Sequence, residues 1–330
     1  MLLAGDIGGT KTVLALFSTA DSVELLHPLH LQTFPSGRFT SLEAIIAQFL
    51  QDNPVDVEAA CFGVAGPVVN GRSQITNLPW IIDAATISQT FDIEHVELLN
   101  DLESIANAVP HLEADDVATI NEGQAEAGGA IAVIAPGTGL GEAFLIWDGK
   151  RYQAHPSEGG HASFAPTNAD QRALQAYLEV KFDHVSFERV CSGSGIPNLY
   201  DFWQADGRFS EPDWLREQIS EAPDPTPIIV EAGLAKTADI CIATVQLFVD
   251  ILAAEASNMA LKVLATGGVY LGGGIPPRIL NLLQTDRFIA EFGDKGRFSK
   301  ILLGMPVKVI CNPQVALLGA AWAGMDLLNA

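Results

Sequence analysis

Short apolar runs bounded by glycine, proline or polar residues recur along the chain. Residues 59–65 and 96–99 form two such runs, and their continuous hydrophobic character predicts strands buried on both faces. A helix is predicted before them, because a capping-box sequence at residues 40–43 introduces apolar residues at helical spacing: Leu42, Ile45, Ile46, Phe49 and Leu50. The first hundred residues therefore indicate a mixed sheet with flanking helices.

The pattern starts again after about residue 110. Residues 131–135 and the run that ends at Trp147 predict a second pair of strands, and residues 315–328 predict a helix. We expect an α/β protein of two domains built on a similar plan. Residues 1–109 together with 311–330 would form a small α/β domain, and residues 110–310 a large one.

Two apolar runs, residues 1–4 and 12–17, flank the sequence Asp6-Ile7-Gly8-Gly9-Thr10-Lys11, which is typical of a strand, a glycine turn and a second strand. Paired glycines allow backbone N–H groups to approach an anion, Thr10 adds a hydroxyl group, and Asp6 can hold a magnesium ion through water. These features favour a phosphate-binding hairpin. An ordinary β-turn is the alternative, since Gly-Gly forms one as well.

A second glycine turn, Pro136-Gly137-Thr138-Gly139-Leu140-Gly141, lies between two further apolar runs. Neither turn is a P-loop, because the Gly-Lys-Ser/Thr sequence is missing, and neither has the glycine spacing of a dinucleotide-binding fingerprint. Two hairpins that face one phosphate chain fit both sequences better.

The charge of the chain restricts its partners. Eighteen basic and 40 acidic residues give a formal net charge of −22, which would repel nucleic acid and anionic lipid surfaces. We therefore expect a substrate that is neutral or masked by a metal ion, with neither nucleic acid nor membrane as a partner. A length of 330 residues with 48% hydrophobic content suits a globular protein with proper cores.

The cysteines and the apolar stretches indicate a cytoplasmic protein. Reduced thiols are expected for the four widely spaced cysteines, which are Cys61, Cys191, Cys241 and Cys311. The apolar start is interrupted at once by Gly5 and Asp6, unlike a signal sequence. Residues 240–254 are apolar but include Gln246 and Asp250, which favours a buried helix over a membrane span.

Asn100-Asp101 follows a predicted strand and precedes a predicted helix, where open α/β sheets place ligand-binding groups. The alternative is a helix N-cap, in which the side chain accepts backbone N–H bonds and stabilises the helix by about 1 kcal/mol. From position alone, the cap is the favoured interpretation.

Glu158-Gly159-Gly160-His161 places a carboxylate and an imidazole around exposed backbone. With His155 nearby, a metal site is one interpretation, but no fourth ligand has suitable spacing. Binding of a polyol is more economical, because ionised Glu accepts hydrogen bonds from hydroxyls and His both accepts and donates them. Glu188 is either another acceptor or a charge in the first turn of a helix, and from the residues alone the helix charge is favoured.

Several short motifs occur in order along nearly the whole chain: Gly5-Asp6-Ile7-Gly8-Gly9-Thr10, Leu99-Asn100-Asp101, Pro136-Gly137-Thr138-Gly139-Leu140-Gly141, Glu158-Gly159-Gly160-His161 and Leu271-Gly272-Gly273-Gly274-Ile275. This set resembles the bacterial glucokinase family, which belongs to the hexokinase, actin and heat-shock ATPase superfamily. Residues 192–195 and 293–298 extend the resemblance. It implies two actin-like (ribonuclease H-like) domains of mixed sheet and helices around a deep cleft, with glucose inside and ATP held between the hairpins.

The resemblance also implies a role for each matching residue. Asp101 would be the catalytic base for the sugar 6-hydroxyl, and the substrate would be held by Asn100, Asp101, Glu158, His161 and Glu188. ATP, with Mg²⁺ at Asp6, would be held by Gly5, Asp6, Ile7, Gly8, Gly9, Thr10, Lys11, Gly137, Thr138, Gly139, Gly272 and Gly273. The implied reaction converts glucose and Mg-ATP to glucose 6-phosphate and ADP. The family's tendency to form dimers implies a homodimer.

A related family, the repressor and sugar kinase (ROK) proteins, shares the Asp-x-Gly-Gly-Thr-Lys start and a Glu-x-Gly-His sequence. ROK kinases normally carry a cysteine-rich zinc loop beside this His, and ROK repressors carry an N-terminal helix-turn-helix. Neither is found in the sequence, so the non-ROK glucokinase branch is preferred and no structural zinc is expected. Another hexose or amino-sugar kinase, and a non-catalytic sugar or nucleotide sensor, remain the alternatives.

Overall fold

The computed structural model describes residues 1–19, 27–75 and 78–329. The chain groups into two compact units. Unit 1 comprises Met1–Glu113, Tyr152–His155 and Asn312–Ala330, and unit 2 comprises Ala114–Arg151 and Pro156–Cys311. The division into two domains remains a prediction, with residues 1–109 and 311–330 in one domain and residues 110–310 in the other.

Groups of consecutive strands and groups of consecutive helices make up the described chain. Residues 1–113 form β1 (Leu2–Ile7), β2 (Lys11–Phe17), β3 (His30–Pro35), α1 (Leu42–Asp52), β4 (Ala59–Val64), β5 (Val68–Val69), β6 (Arg72–Gln74), β7 (Ile81–Asp83), α2 (Ala84–Phe91), β8 (His95–Asn100) and α3 (Asp101–Ala108). Residues 114–206 form β9 (Val117–Asn121), β10 (Ile131–Pro136), β11 (Leu140–Trp147), β12 (Tyr152–Ser157), α4 (Ala169–Glu179) and α5 (Ile196–Asp206). The remainder forms α6 (Asp213–Glu221), α7 (Thr226–Leu234), α8 (Asp239–Val263), β13 (Gly268–Leu271), α9 (Leu280–Leu283), α10 (Asp286–Gly293), α11 (Ser299–Leu303), β14 (Val307–Ile310) and α12 (Val315–Leu328).

The main sheet of unit 1 has the strand order β3-β2-β1-β4-β8. Strand β2 is antiparallel to both of its neighbours, whereas β1, β4 and β8 run parallel. These pairings confirm the predicted hairpin and the predicted strands at residues 59–65 and 96–99. The predicted helix at residues 315–328 is confirmed as α12. A smaller sheet has the order β5-β6-β7.

Helices cover both faces of this sheet. Successive side chains of a strand point to opposite faces, and all six residues of β4 are buried, so both faces require a covering layer. Phe62 of β4 belongs to the apolar cluster that also contains Ile45 and Phe49 of α1. On the other face, Cys61 approaches α12 at Gly324, and Gly63 approaches α3. The predicted α1 is confirmed, and its N-cap is Ser41, whose hydroxyl accepts a hydrogen bond from the Ala44 amide at 3.3 Å.

The larger sheet, in unit 2, repeats this plan. Its strands include the order β11-β10-β13-β14-β9, in which β10 and β11 form an antiparallel hairpin and β10, β13 and β14 run parallel. A hairpin followed by two parallel strands therefore occurs in each unit, as the recurring sequence pattern predicts. Strand β12 crosses a unit boundary, since residues 152–155 group with unit 1 and residue 156 with unit 2.

Helix α8 forms the centre of the core of unit 2. It is the one described helix that is long and apolar enough to cross a membrane, but 83% of its most apolar window is buried inside the protein. Polar residues on it are buried as well, notably Asp250 and Glu255. The prediction of a buried helix is confirmed.

Candidate active site

The first glycine turn joins β1 to β2 in unit 1. The Gly8 amide donates to the Lys11 carbonyl at 3.0 Å, and the buried Ser36 hydroxyl donates to the Gly8 carbonyl at 2.8 Å. Neither Gly8 nor Gly9 is among the described glycines with positive φ. Backbone conformation therefore does not require glycine here, but a β-carbon at Gly8 would lie 3.1 Å from the Lys11 carbonyl oxygen, so tight packing within the turn favours glycine at this position. Both the phosphate-binding and the ordinary-turn interpretations are consistent with this geometry.

Asp6 and Asn100 lie at one edge of the unit 1 sheet. Because β1, β4 and β8 are parallel and in register, Ile7, Val64 and Asn100 end the three strands side by side. Burial raises the pKa of the Asp6 carboxyl, Lys11 opposes the rise, and the negative charge of Asp101 adds to it. The structure thus brings the predicted metal-binding carboxylate and the predicted base close enough to interact.

Asn100 and Asp101 begin α3 as the N-cap alternative predicts. The Asn100 Oδ1 accepts from the Glu103 amide at 2.5 Å, and the Asp101 Oδ1 accepts from the Leu102 amide at 2.9 Å. Capping leaves the Asn100 side-chain amide free to donate to a ligand. Asp101 is exposed, yet the surrounding protein reduces its hydration and so raises its pKa, against the effect of the Leu102 bond.

Three of the predicted sugar-binding residues meet in unit 2. His161 ends a short 3₁₀ turn, Gly159–His161, and its Nε2 lies 3.8 Å from Glu158 Oε2. Its Nδ1 lies 3.9 Å from Glu188 Oε1. Glu158 and His161 are largely exposed, whereas the side chain of Glu188 is 27% exposed. The arrangement offers two carboxylates and an imidazole to one polyol.

The interpretation of Glu188 as a helix charge is wrong. Helix α5 begins only at Ile196, and Glu188 lies in an irregular turn before it. Its Oε2 accepts from the Leu140 amide at 3.0 Å, and its own amide donates to the Gly160 carbonyl at 2.8 Å. Glu188 therefore connects the second glycine hairpin with the Glu158–His161 turn.

Two other glycine segments converge on the second hairpin. The Gly193 amide donates to the Gly137 carbonyl at 2.7 Å. Gly273 has φ +80°, and a β-carbon there would lie 2.6 Å from the Pro136 carbonyl oxygen. By contrast, a β-carbon at Gly137 would meet nothing within 4 Å. The backbone at Gly137 therefore faces open space.

That space belongs to a cavity of about 730 Å³ within unit 2. Its lining includes Gly137, Thr138, Ser194, Thr226, Glu231 and Arg278. A volume of this size accommodates a nucleotide-sized ligand. The sequence pattern does not predict Thr226, Glu231 and Arg278 as lining residues, because they belong to α7 and to the 3₁₀ turn after β13, where no glycine motif marks them.

A metal site made of protein side chains is not supported at His155. Within residues 1–19, 27–75 and 78–329, no group of three or more His, Cys, Asp or Glu side chains could hold a metal ion.

The paired hairpins, the repeated sheet plan and the carboxylate-rich turns define the α/β sugar-kinase class, with the actin-like ATPase fold. A family model described as glucokinase matches residues 3–327, and the chain belongs to the glucokinase family. It is 42% identical to the glucokinase of Nostoc punctiforme over 97% of this chain and 98% of that protein.

Solved structures agree with this assignment. A glucokinase from an Antarctic psychrotroph superposes with a TM-score of 0.87 at 32% identity, covering 98% of each chain. A ROK-family glucokinase from Streptomyces griseus, solved with glucose and AMPPNP, has a TM-score of 0.62 at 17% identity and covers 98% of this chain and 99% of that one. The second likeness supports the fold alone.

Proposed function

We propose that this protein is a glucokinase that transfers the γ-phosphoryl group of Mg-ATP to the 6-hydroxyl of glucose, giving glucose 6-phosphate and ADP. The hydrogen bond from the Leu140 amide to Glu188 carries this proposal. It attaches a carboxylate of the polyol-binding cluster to a glycine-threonine hairpin, and that hairpin opens on a nucleotide-sized cavity. Family membership supports glucose as the sugar and ATP as the donor.

Each sugar contact follows from the chemistry of its side chain. Glu158 and Glu188 accept hydrogen bonds from uncharged hydroxyls, and His161 accepts or donates one. Asn100 donates through its amide, because capping occupies its oxygen. Binding of a neutral sugar by carboxylates requires no cation on the substrate, which fits the acidic chain.

Asp101 is proposed as the base. The Leu102 amide fixes one carboxylate oxygen at 2.9 Å, so the group is oriented rather than free to rotate. A carboxylate is too weak to deprotonate an alcohol outright, but in a loose phosphoryl-transfer transition state it needs to accept the proton only late. Orientation therefore contributes more than basicity.

The phosphates of ATP are assigned to the amides of the two glycine turns, with Thr10, Thr138 and the exposed Lys11 as further donors. Asp6 suits a hydrated magnesium ion, because it is a partly buried carboxylate and carboxylate oxygens are ligands that Mg²⁺ prefers. Burial, and after it the charge of Asp101, raises the pKa of Asp6, and a cation bound there would favour the ionised form. Bound there, Mg²⁺ would neutralise charge on the phosphates.

The finer assignments are also proposals. We infer the zinc-free, non-ROK branch, a cytoplasmic location and a homodimer. The four cysteines lie apart on β4, on the turn before α5, on α8 and after β14, an arrangement that supports separate thiols rather than a zinc loop.

The test of this function is glucose-dependent ADP release by the purified protein with Mg-ATP, together with detection of glucose 6-phosphate. Mannose and glucosamine serve as competing acceptors, and ADP and polyphosphate as competing donors. Faster turnover of another sugar would replace glucose in the proposal. Binding of glucose without any ADP release would identify a sensor instead.

A further inference from the structure

The sequence gives no special weight to Glu142, yet the structure buries this carboxyl completely in β11. Among the described residues, no N–H group or hydroxyl donates a hydrogen bond to either of its side-chain oxygens. An unpaired buried carboxylate costs several kcal/mol in a protein interior. Such a group persists only if it is neutral or shares a proton.

The partner is Glu255 of α8, which is also fully buried. Glu255 has its own donors, since Asn258 Nδ2 lies at 2.9 Å from Oε2 and Lys262 Nζ at 3.4 Å from Oε1. Burial, followed by the charge of Glu255, raises the pKa of Glu142 to about 8 against the opposing effect of Lys262. Because Asn258 and Lys262 donate to Glu255 while no N–H group of the described residues donates to Glu142, Glu142 is the member that carries the shared proton and donates it to Glu255.

Glu142 also lies directly beneath the Glu158–His161 turn. A β-carbon at Gly159 would be 1.8 Å from Glu142 Oε2, so the carboxyl occupies the space that any larger residue would need. On the other side, the Gly159 amide donates to Ser157 Oγ at 3.0 Å. The buried carboxyl thus forms the support for a turn whose two ends, Glu158 and His161, are exposed.

We propose that Glu142 is a positioning residue for the sugar: its protonated carboxyl, bonded to Glu255, supports Gly159 and so holds Glu158 and His161 where they bind hydroxyl groups. The inference rests on the proposed function, because it deepens the same sugar site. Loss of the shared proton would place two negative charges side by side in the core. Their repulsion would displace the carboxyl against Gly159 and weaken glucose binding.

Three other ionisable groups of the described chain lie near the Glu142–Glu255 pair: Lys262, Cys191 and Lys295. Glu142 faces Glu255 and Lys262 of α8, and Cys191 lies close enough to both carboxyls for their charges to raise the pKa of its thiol. Lys295 interacts electrostatically with Glu255. Burial and these carboxyls hold the pKa of Cys191 well above its usual range, so the pair is the first of these acids to ionise.

The test measures the KM for glucose, the KM for ATP and kcat between pH 7 and 9, with direct glucose binding by calorimetry in the absence of ATP. If glucose binding requires the proton on Glu142, the glucose KM and Kd of the wild type should rise by up to about tenfold per pH unit above pH 8. The ATP KM should change little. Glu142→Gln keeps a neutral donor and should abolish this rise. Glu142→Ala should raise the glucose KM about tenfold at pH 7, because a misplacement of about 1 Å in a positioned group can cost up to about 100-fold.

The matched control is Asp250→Asn, which alters another buried carboxyl of α8 that is paired with Arg287 and lies outside the pair. It should lower thermal stability but retain the wild-type dependence of glucose KM on pH. A Glu142→Gln protein that keeps the alkaline rise would overturn the inference, even if Glu142→Ala does not fold. Glucose binding that follows this pH pattern without any phosphorylation would retain the inference and refute the kinase proposal.

Discussion

Glu188 Oε2 accepts a hydrogen bond from the Leu140 amide at 3.0 Å, so a carboxylate proposed to bind the sugar is fixed to the turn proposed to bind phosphate. Glu188→Ala removes both the charge and this bond, and hydrogen bonds to charged groups contribute about 1.5–3 kcal/mol. We expect the glucose KM to rise by about 10- to 100-fold. Glu188→Gln can still accept from Leu140 and should have a smaller effect. Initial-rate kinetics measure the glucose KM of both variants. An equal rise in the two variants would mean that the hydrogen bond from Leu140 does not contribute to glucose binding.

The same contact predicts different effects for two neighbouring glycines. A β-carbon at Gly139 would lie 2.5 Å from Glu188 Oε2, whereas one at Gly137 would meet nothing within 4 Å. Gly139→Ala should therefore displace Glu188 and raise the KM for both glucose and ATP severalfold. Gly137→Ala places a methyl group where the nucleotide is proposed to lie, so it should raise mainly the ATP KM. An unchanged glucose KM in Gly139→Ala would contradict the coupling.

The apolar pattern predicted those parts of the fold that depend on local sequence. The continuous apolar runs of β4 and α12 and the helical spacing of apolar residues in α1 are all local patterns. Contacts between residues far apart in the chain leave no such pattern. Glu188 looks like a helix charge until its bond to Leu140, 48 residues away, is seen. Likewise, nothing in the apolar run of β11 indicates that Glu142 meets a second carboxyl on α8.

Asp101 provides a prediction with a defined sign. Because a protonated carboxyl cannot accept the proton of the sugar hydroxyl, kcat/KM should fall as the pH drops below the pKa of Asp101, by up to tenfold per unit. Loss of hydration to the surrounding protein raises that pKa, so the decline should begin above the pH expected for an ordinary Asp. Asp101→Ala should reduce kcat by about 10²- to 10⁴-fold while glucose binding remains measurable. Near-normal turnover in this variant would remove the assignment of Asp101 as the base.

Glu142 should also make stability depend on pH. Its pKa is raised from 4.5 to about 8 in the folded protein, so between these values the folded state binds more protons than the unfolded state. This contribution to the free energy of unfolding is present at low pH. It is lost as the pH rises toward 8, by up to about 1.4 kcal/mol for each unit. Urea denaturation at pH 5.5 and pH 8 measures it, and the difference between wild type and Glu142→Gln isolates it from other groups. Parallel pH dependence in both proteins would show that Glu142 does not titrate in this range.

Close packing of α12 against α3 makes Gly319 sensitive to substitution. A β-carbon there would lie 1.6 Å from the Ser104 carbonyl oxygen, and backbone atoms cannot move aside cheaply. The Ser104 hydroxyl also donates to the Ala316 carbonyl at 2.7 Å, so separation of the helices would break a hydrogen bond. We expect Gly319→Ala to reduce the free energy of unfolding by about 1–3 kcal/mol, measured by urea denaturation.

Gly324 of the same helix provides the control for this prediction. Its β-carbon would meet the Leu2 Cδ1 at 2.5 Å, which is the end of a flexible side chain, so Gly324→Ala should cost less than Gly319→Ala. Because α3 begins with Asp101, Gly319→Ala should also lower kcat through displacement of this proposed base, whereas Gly324→Ala should leave kcat nearly unchanged. Equal losses of stability in the two variants would show that the backbone contact with Ser104 does not limit helix packing.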